Sequence, residues 1–388
     1  MLQPELAQTL VDKVTPLVPM LRACSPAAEK ARRLPLEVFD ALAAADIFRM
    51  TAPRRFGGHE ADFYTQCEVL AEVARGSPSA SWVSTILSAM TWLVASFPNE
   101  AQEEIFDTRD PRVSGVFTPT GTAVRKNGGF VVSGRWGYNT GGHGSEWTVL
   151  NAVLLENGNA GMPHCCIVRS RELERLDDWY ASGMGATGSS TIVAKEIFVP
   201  AHRVQPLPTM VDGKYPERHN SAEPYFNYPL ASVLTANAAG TPVGIARGAL
   251  ELFHERLPGR GITYTTYAAK SEAPVTHLQV GDAALAIDSA HAHMRLACRL
   301  LDDAETAPSK LDRIKIRAHV GATTRYAREA VDALFFASGA SAIQTNVPLQ
   351  SFQRDMQALA NHAILHPQTN TELYGRVLCG LEPNTLLY

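Results

Sequence analysis

The chain has 388 residues, 35 basic against 39 acidic, for a net charge of −4; 45% of its residues are hydrophobic and 19% charged. That is ordinary globular composition, long enough for one large or two to three smaller units. The slight acidity excludes a nucleic-acid or anionic-membrane footprint, and with no run of eighteen apolar residues no membrane span is expected.

The opening "MLQPELAQTL" has no basic stretch leading into an apolar one, so no secretory signal is expected. The cysteines, Cys24, Cys67, Cys165, Cys166, Cys298 and Cys379, are scattered without a CxxC spacing. They read as reduced thiols of a cytoplasmic protein, not as a zinc or disulfide framework.

Residues 1–110 read as an N-terminal helical domain. "LPLEVFDALAAADIFRM" has Pro35 in its first turn and Val38, Leu42, Ala45 and Ile47 at roughly helical spacing. "APRRFGG" breaks the pattern, and two apolar helices follow, split at Gly76–Pro78. Residues 111–205 change character: "RVSGVF", "GGFVVSGRWGYN", "EWTVLNAVLL", "HCCIVRS" and "STIVAKEIFVP" predict a central antiparallel β domain, a barrel or sandwich. "KNGG", residues 126–129, predicts a tight turn there, because Asn-Gly tolerates positive φ. Residues 206–230, rich in Pro, Asn and charge, read as a loop or linker. From 231 to 388 helices return, as a C-terminal four-helix bundle. Within it Leu278, Leu285, Ala292 and Leu296 form a seam where Gly281 and Ala292 would admit another helix. A second long helix ends at Gly339, in the position favoured for a left-handed cap. The fold class is therefore α+β, mostly α, with clefts expected where the β unit meets the helices.

Local chemistry is sparse. There is no GxGxxG or GxxxxGK[ST] before a helix, no HExxH and no GxSxG. "GMGATGSS" (183–190) precedes a strand and reads as a turn. "NHAILHPQTN" (361–370) holds His362 and His366 four apart, just before Pro367. That spacing suits two ligands on one helical face, but no third ligand is near, so no metal is expected; the plain alternative is a histidine at a helix end.

Several longer stretches carry a family resemblance. These are "LPLEVFDALAAADIFRMTAPRRFGG", "GRWGYNTGGHGSEWTVLNAVL", "GMGATGSSTIVAKEIFVPAHRV", "ANAAGTPVGIARGALELF" and the late Arg-Asp of "QRDMQALA". Over nearly its whole length the chain resembles the acyl-CoA dehydrogenase superfamily. Many dehydrogenases of that fold carry a catalytic Glu about nine residues after the late Arg. Here Ala363 stands at that distance from Arg354, and Glu372 is out of register. The pattern Arg354-Asp355, then His362, then "LYGRVLCG" is similar instead to the flavin-dependent monooxygenases of the superfamily, as are "PTG" and "SEWTVL". The resemblance implies the oxygenase component of a two-component system. It would use reduced FMN, with FAD as the alternative, and O₂, through a C4a-hydroperoxide, to hydroxylate a small aromatic or natural-product substrate or its nitrogen. A separate NAD(P)H:flavin reductase and a homotetramer are implied with it.

The resemblance also assigns residues. His362 becomes the peroxide partner or general base, a role an imidazole suits. His366 is a second pocket wall or a cap. Thr118 and Thr120 would approach the pyrimidine end of the flavin, Asn139 and Thr140 its N5, and Trp136 its ring, with strand packing as the alternative for Trp136. Arg260 would take the flavin phosphate, reaching a neighbouring subunit, or be a solvated loop arginine. Trp92, with the neighbouring Ser88 to Thr91, and Tyr225 and Phe226 would line the substrate under a 206–230 lid, unless that apolar stretch is core. Two other readings stay open: an acyl-CoA dehydrogenase with a relocated base, and a non-catalytic binding or scaffold protein.

Overall fold

The protein is described here from a computed structural model, which covers residues 3–156 and 158–388. The chain begins with α1 (Pro4–Val14), α2 (Val18–Ala31), α3 (Leu36–Ala44), α4 (Phe63–Gly76), α5 (Pro78–Val94) and α6 (Asn99–Ile105). The α4–α5 break is local chemistry. Ser77 is extended (φ −152°, ψ 112°), its hydroxyl accepts from Ala80 N at 3.3 Å, and Pro78 opens the next helix. The start of α4 is capped twice. Asp62 accepts from Thr65 N at 2.7 Å, and Asp302, far along the chain, accepts from Phe63 N at 2.8 Å and Tyr64 N at 2.9 Å. Helix α5 is buried along almost its whole length, as its apolar sequence requires.

The β unit is β1 (Val113–Lys126), β2 (Gly129–Trp136), β3 (Trp147–Glu156), β4 (Asn159–Arg169), β5 (Glu174–Arg175), β6 (Ile192–Pro200) and β7 (Val204–Pro206), in the order β5-β6-β2-β1-β3-β4-β7. Gly128, at φ +79°, makes the β1–β2 turn. Two features differ from the sequence expectation. The sheet is open, not a closed barrel, and it is mixed, because β1 pairs parallel with β3 while its other neighbour β2 is antiparallel. The segment "YNTGGHGSE" carries the chain from the end of β2 across to β3, on the far edge of β1, and this crossover allows the parallel pair. The β1–β3 register slips between Val116 and Gly121, so the 117–120 segment bulges and Thr118, Pro119 and Thr120 turn outward.

The remaining helices are α7 (Leu207–Val211), α8 (Leu230–Asn237), α9 (Gly240–Arg256), α10 (Pro274–Asp302), α11 (Lys310–Ala337), α12 (Pro348–Ala360) and α13 (Pro367–Leu378). Gly339 follows α11 with φ +75°. The 206–230 segment is not a free lid. Arg218 is buried and donates to Ala95 O (3.1 Å), Pro216 O (3.0 Å), Phe226 O (2.6 Å) and Asn227 Oδ1 (3.0 Å). Asn220 Nδ2 adds a bond to Ala95 O at 3.0 Å. A segment so polar stays put because its side chains satisfy its own carbonyls.

The seam on α10 also differs from expectation. Leu278, Leu285 and Leu296 are 68%, 66% and 45% exposed, and Gly281 has nothing within 4 Å of a built Cβ. The face that packs inside the chain is Ala283, Ile287, Ala290, Met294, Ala297 and Leu301. Periodicity found an apolar stripe but not which of two stripes faces this chain's own core.

Candidate functional site

The expected catalytic histidines do not share a helix face. His362 lies just past the end of α12, and its N–H donates to Leu359 O at 2.9 Å. His366 is the N-cap of α13, its Nδ1 accepting from Thr369 N at 3.4 Å. The helix break between them gives the two rings separate surroundings. More than a third of the His362 surface is reachable by water, yet protein encloses the ring closely enough that burial lowers its pKa to about 4. The enclosed ring is therefore neutral at pH 7. Trp82 of α5 packs edge-on against it, centroids 4.9 Å apart.

The same helix reaches the predicted N5 loop. A Cβ on Gly141 would lie 2.7 Å from Leu87 Cδ1 and 2.9 Å from Val83 Cγ1, so the 137–145 loop sits directly on α5. Thr140 is buried, and its Oγ1 is 2.8 Å from Ser189 Oγ. Ser189 Oγ is 2.8 Å from Thr187 Oγ1, which donates to Met184 O at 2.8 Å. Met184 N in turn donates to Asp355 Oδ1 of α12 at 2.5 Å. One polar chain thus runs from Thr140 to α12, the helix that precedes His362. Two backbone bonds tie the same loops together, Gly141 N to Thr187 O (3.0 Å) and Asn139 N to Ser190 O (3.3 Å). Asn139 is fully buried, and neither its Nδ2 nor its Oδ1 has a protein partner. An orphaned buried amide is costly unless a ligand or water completes it.

The late Arg-Asp pair explains itself here. Asp355 is buried and its pKa is pushed up to about 7, by burial first, against the pull of the Met184 N–H. Arg354 donates to Ser182 O (2.5 Å) and pairs with Glu29 of α2 at 2.6 Å. A Cβ on Gly183 would lie 2.2 Å from Arg354 O, so only glycine admits this approach. The pair is an anchor that fixes α12 on the "GMGATGSS" loop.

That loop is more than a turn. Met184 and Gly188, both left-handed (φ 55° and 58°), bracket a short 3-10 turn, and Ser189 just after it meets Thr140. Beside it lies a polar cleft of about 250 Å³ lined by Arg32, Arg33, His143, Asp177, Trp179 and Ser190. Trp179 Nε1 donates to Met184 O at 3.3 Å, and Tyr138, 75% exposed, meets the Trp179 ring edge-on at 5.8 Å. His143 is held neutral, its pKa lowered to about 4 by burial and then by Arg175 and Arg33. Sequence reasoning missed Trp179, His143 and Ser189. The signal was available, since the 139–143 and 184–190 glycine-rich stretches are the two loops that meet.

Other expected residues fall elsewhere. Thr118 and Thr120 sit in the exposed β1 bulge, with Thr120 Oγ1 donating to Arg135 O at 2.6 Å. Trp136 is fully buried in the sheet's core and donates to Asn151 O at 2.7 Å; strand packing, not an open ring face, is where it lies. Trp92 and Phe226 are likewise fully buried, with Trp92 Nε1 on Tyr225 O at 3.0 Å, and the Tyr225 hydroxyl accepts from Gln66 at 3.1 Å. These three form core beneath the 206–230 segment. Arg218 and Asn220 pin the segment beside them, through Phe226 O and Ala95 O.

Arg260 is exposed at the far end of α9, where Arg256 and Lys270 join it. Arg256 and Arg260 both donate to Ser341 Oγ, at 3.2 and 3.1 Å, and Lys270 Nζ donates to Ala337 O at 2.6 Å. The pKa of Lys270 is lowered by burial and then by the two arginines. Among the described residues none of the three cations is paired with a carboxylate. Such a cluster has the donors to hold an anion.

Comparison with known proteins accords with this geometry. Residues 5–106 match the acyl-CoA dehydrogenase N-terminal domain and residues 236–367 the acyl-CoA dehydrogenase C-terminal domain. The chain is 30% identical to the FADH(2)-dependent resorcinol hydroxylase, oxygenase component, of a Rhizobium species, over 98% of this chain and 97% of the relative. It is 30% identical to the flavin-dependent monooxygenase oxygenase subunit HsaA of Mycobacterium tuberculosis, over 97% of each chain. Among solved structures, XiaF from a Streptomyces species, in complex with FADH2 and glycerol, superposes with a TM-score of 0.91 at 31% identity, over 98% of each chain. The chain belongs to the acyl-CoA dehydrogenase superfamily, in its branch of flavin-dependent monooxygenase oxygenase components.

Proposed function

We propose that this chain is the oxygenase component of a two-component flavin-dependent monooxygenase that hydroxylates a small aromatic substrate. The observation that carries the reading is what stands at the end of α12. A neutral imidazole, His362, packs edge-on against Trp82, Ala363 follows it, and the nearest downstream acid, Glu372, is exposed and accepts from Asn384 at 2.9 Å. A carboxylate able to take an α-proton from a thioester is not at that position, whereas an imidazole there can hold or move a proton at a reacting oxygen.

Reduced flavin, when bound, supplies the electrons that activate O₂. The residues present fit it. The orphaned Asn139 amide and the Thr140 hydroxyl are the groups that would bond its ring, and the buried chain through Ser189 and Thr187 keeps water from them. Arg256, Arg260 and Lys270 fit a phosphate group. Three cations suit a pyrophosphate better than a monophosphate, and FADH2 appears in the names of two relatives at about 30% identity, so FAD is the better reading than FMN. The polar cleft at Trp179 is the approach route.

The relatives' designation as oxygenase components supports a separate NAD(P)H:flavin reductase as partner. The exposed apolar stripe of α10 supports association with further copies, as a homotetramer. The described cysteines are all free thiols, which suits the cytoplasm, and among the described residues no helix is long and apolar enough to cross a membrane.

The test supplies the protein with a flavin reductase, NADH, FAD or FMN, and a panel of phenols. Substrate-dependent O₂ consumption with a hydroxylated product is expected, and His362→Ala should abolish product while reduced flavin still binds. Tight binding of oxidised FAD with bleaching by an acyl-CoA would return the chain to dehydrogenase chemistry. Failure to bind either flavin state would favour the scaffold reading.

A further inference from the structure

We infer that Arg317 of α11 is a positioning residue for His362, acting through the 361–366 loop and held in place by the 385–388 segment. The inference rests on His362 being the site's working imidazole. The loop between α12 and α13 has two carbonyls, Ala363 O and Ile364 O, directly after His362. Arg317 Nη2 donates to Ala363 O at 3.1 Å, and Asn370 Nδ2 donates to Ile364 O at 2.9 Å. Arg317 also clamps that asparagine, with Nε and Nη2 on Asn370 Oδ1 at 2.9 and 2.7 Å. Its last nitrogen, Nη1, donates to Leu387 O. One turn earlier on α11, Arg313 donates to Tyr388 O at 3.0 Å and lies 4.6 Å over the Tyr388 ring. One turn later, a Cβ on Gly321 would come 2.8 Å from Asn370 Cβ, so glycine lets α13 approach closely enough for the clamp.

The chemistry of this arrangement is unusual for a stability device. Arg317 is only 7% exposed, and all four of its hydrogen bonds go to neutral oxygens. A buried guanidinium without a carboxylate is expensive, and an apolar residue would serve packing better. What the guanidinium offers is directionality: rigid donors at fixed angles reach the turn carbonyl, Asn370 in the first turn of α13 and Leu387 near the end of the chain at once. The result is a fixed peptide plane immediately after His362. Productive geometry at a reacting group must be held to about half an ångström, which a surface loop alone does not provide. His366 serves the same end by capping α13, so both ends of the loop are anchored.

The test uses Arg317→Gln and a chain lacking residues 385–388, with His362→Ala beside them. In the flavin-free protein, hydrogen exchange of residues 361–366 and labelling of His362 by diethyl pyrocarbonate should speed up severalfold, while His219, on an exposed loop, labels at the parental rate. With reduced FAD and O₂, flavin affinity should stay within about twofold, and H₂O₂ release should rise at least roughly fivefold for Arg317→Gln, the loss expected when a reacting group is held loosely. Should Arg317→Gln fail to fold, the truncated chain decides alone. Unchanged exchange and labelling overturns the positioning role, and so does a loosened loop with parental H₂O₂ release when His362→Ala is defective. Normal hydroxylation by His362→Ala overturns the reading beneath it instead.

Discussion

Asp355 is the sharpest point at which to perturb this site without touching the cleft. Its carboxyl is buried and accepts the Met184 N–H at 2.5 Å, and burial pushes its pKa from 3.8 to about 7. Folding therefore favours the protonated form: between pH 4 and 7 the native state binds a proton that the unfolded chain has released. The stability this group contributes is present below pH 4 and is lost as pH rises through 7. A shift of about three units is worth at most about 4 kcal/mol over the full window. Asp355→Asn keeps an oxygen for Met184 N and cannot ionise. It should match the parent within about 1 kcal/mol at pH 4 and exceed it by a few kcal/mol at pH 8. Asp355→Ala leaves the Met184 N–H without its acceptor and should cost about 2–3 kcal/mol at pH 4, with α12 loosened from the "GMGATGSS" loop. Urea denaturation at pH 4, 6 and 8 measures all three proteins. Asp302, also pushed up to about 7, contributes the same slope to each and cancels in the differences. Parallel pH profiles for the parent and Asp355→Asn, or an Asp355→Ala protein as stable as the parent at pH 4, would refute the account of this pair as an anchor.

Three further outcomes follow from the geometry. Arg218→Ala removes the donor from Ala95 O, Pro216 O and Phe226 O and should cost about 3 kcal/mol or more, with the 215–229 segment becoming the first site of limited proteolysis; a resistant variant would restore the lid. Leu285→Glu puts a charge on the exposed stripe of α10 and should shift sedimentation to smaller species with the monomer's melting profile intact, whereas an unchanged assembly would place the interface elsewhere. Because burial lowers the His362 pKa to about 4, the ring is neutral from pH 5.5 upward, so the parent's hydroxylation rate should show no limb near 6.5; such a limb would mean the ring is wetter than described.

The fold was legible where local rules act alone. Gly76–Pro78, Asn127-Gly128 and Gly339 each fix a boundary through their own backbone preferences, and the structure has its breaks there. What periodicity leaves open is which partner an apolar face meets. The Leu278–Leu285–Leu296 stripe and the Ile287–Met294–Leu301 stripe are both apolar, and the packing of α10 against α11, α4 and α9 separates inside from outside. Large aromatics misled for a related reason. Trp92, Trp136 and Phe226 have the size of pocket walls, but their fully buried faces and backbone hydrogen bonds make them core. The smaller residues tell more about the site. Thr140, Ser189, Thr187 and Asn139 carry little signal one at a time, since Ser, Thr and Asn are common turn residues. Their meaning arises when two glycine-rich loops distant in sequence meet through Thr140 and Ser189, while Gly141 lets the first of them sit directly on Leu87 of α5. The same logic accounts for "NHAILHPQTN". The i,i+4 spacing of its histidines is a coincidence of chain distance across a helix break. The informative residues are Asn370, at the motif's own end, and Arg317 and Gly321 on α11, which hold that break in one shape. A reactive side chain can be named from a motif, but the groups that aim it are distributed through the fold.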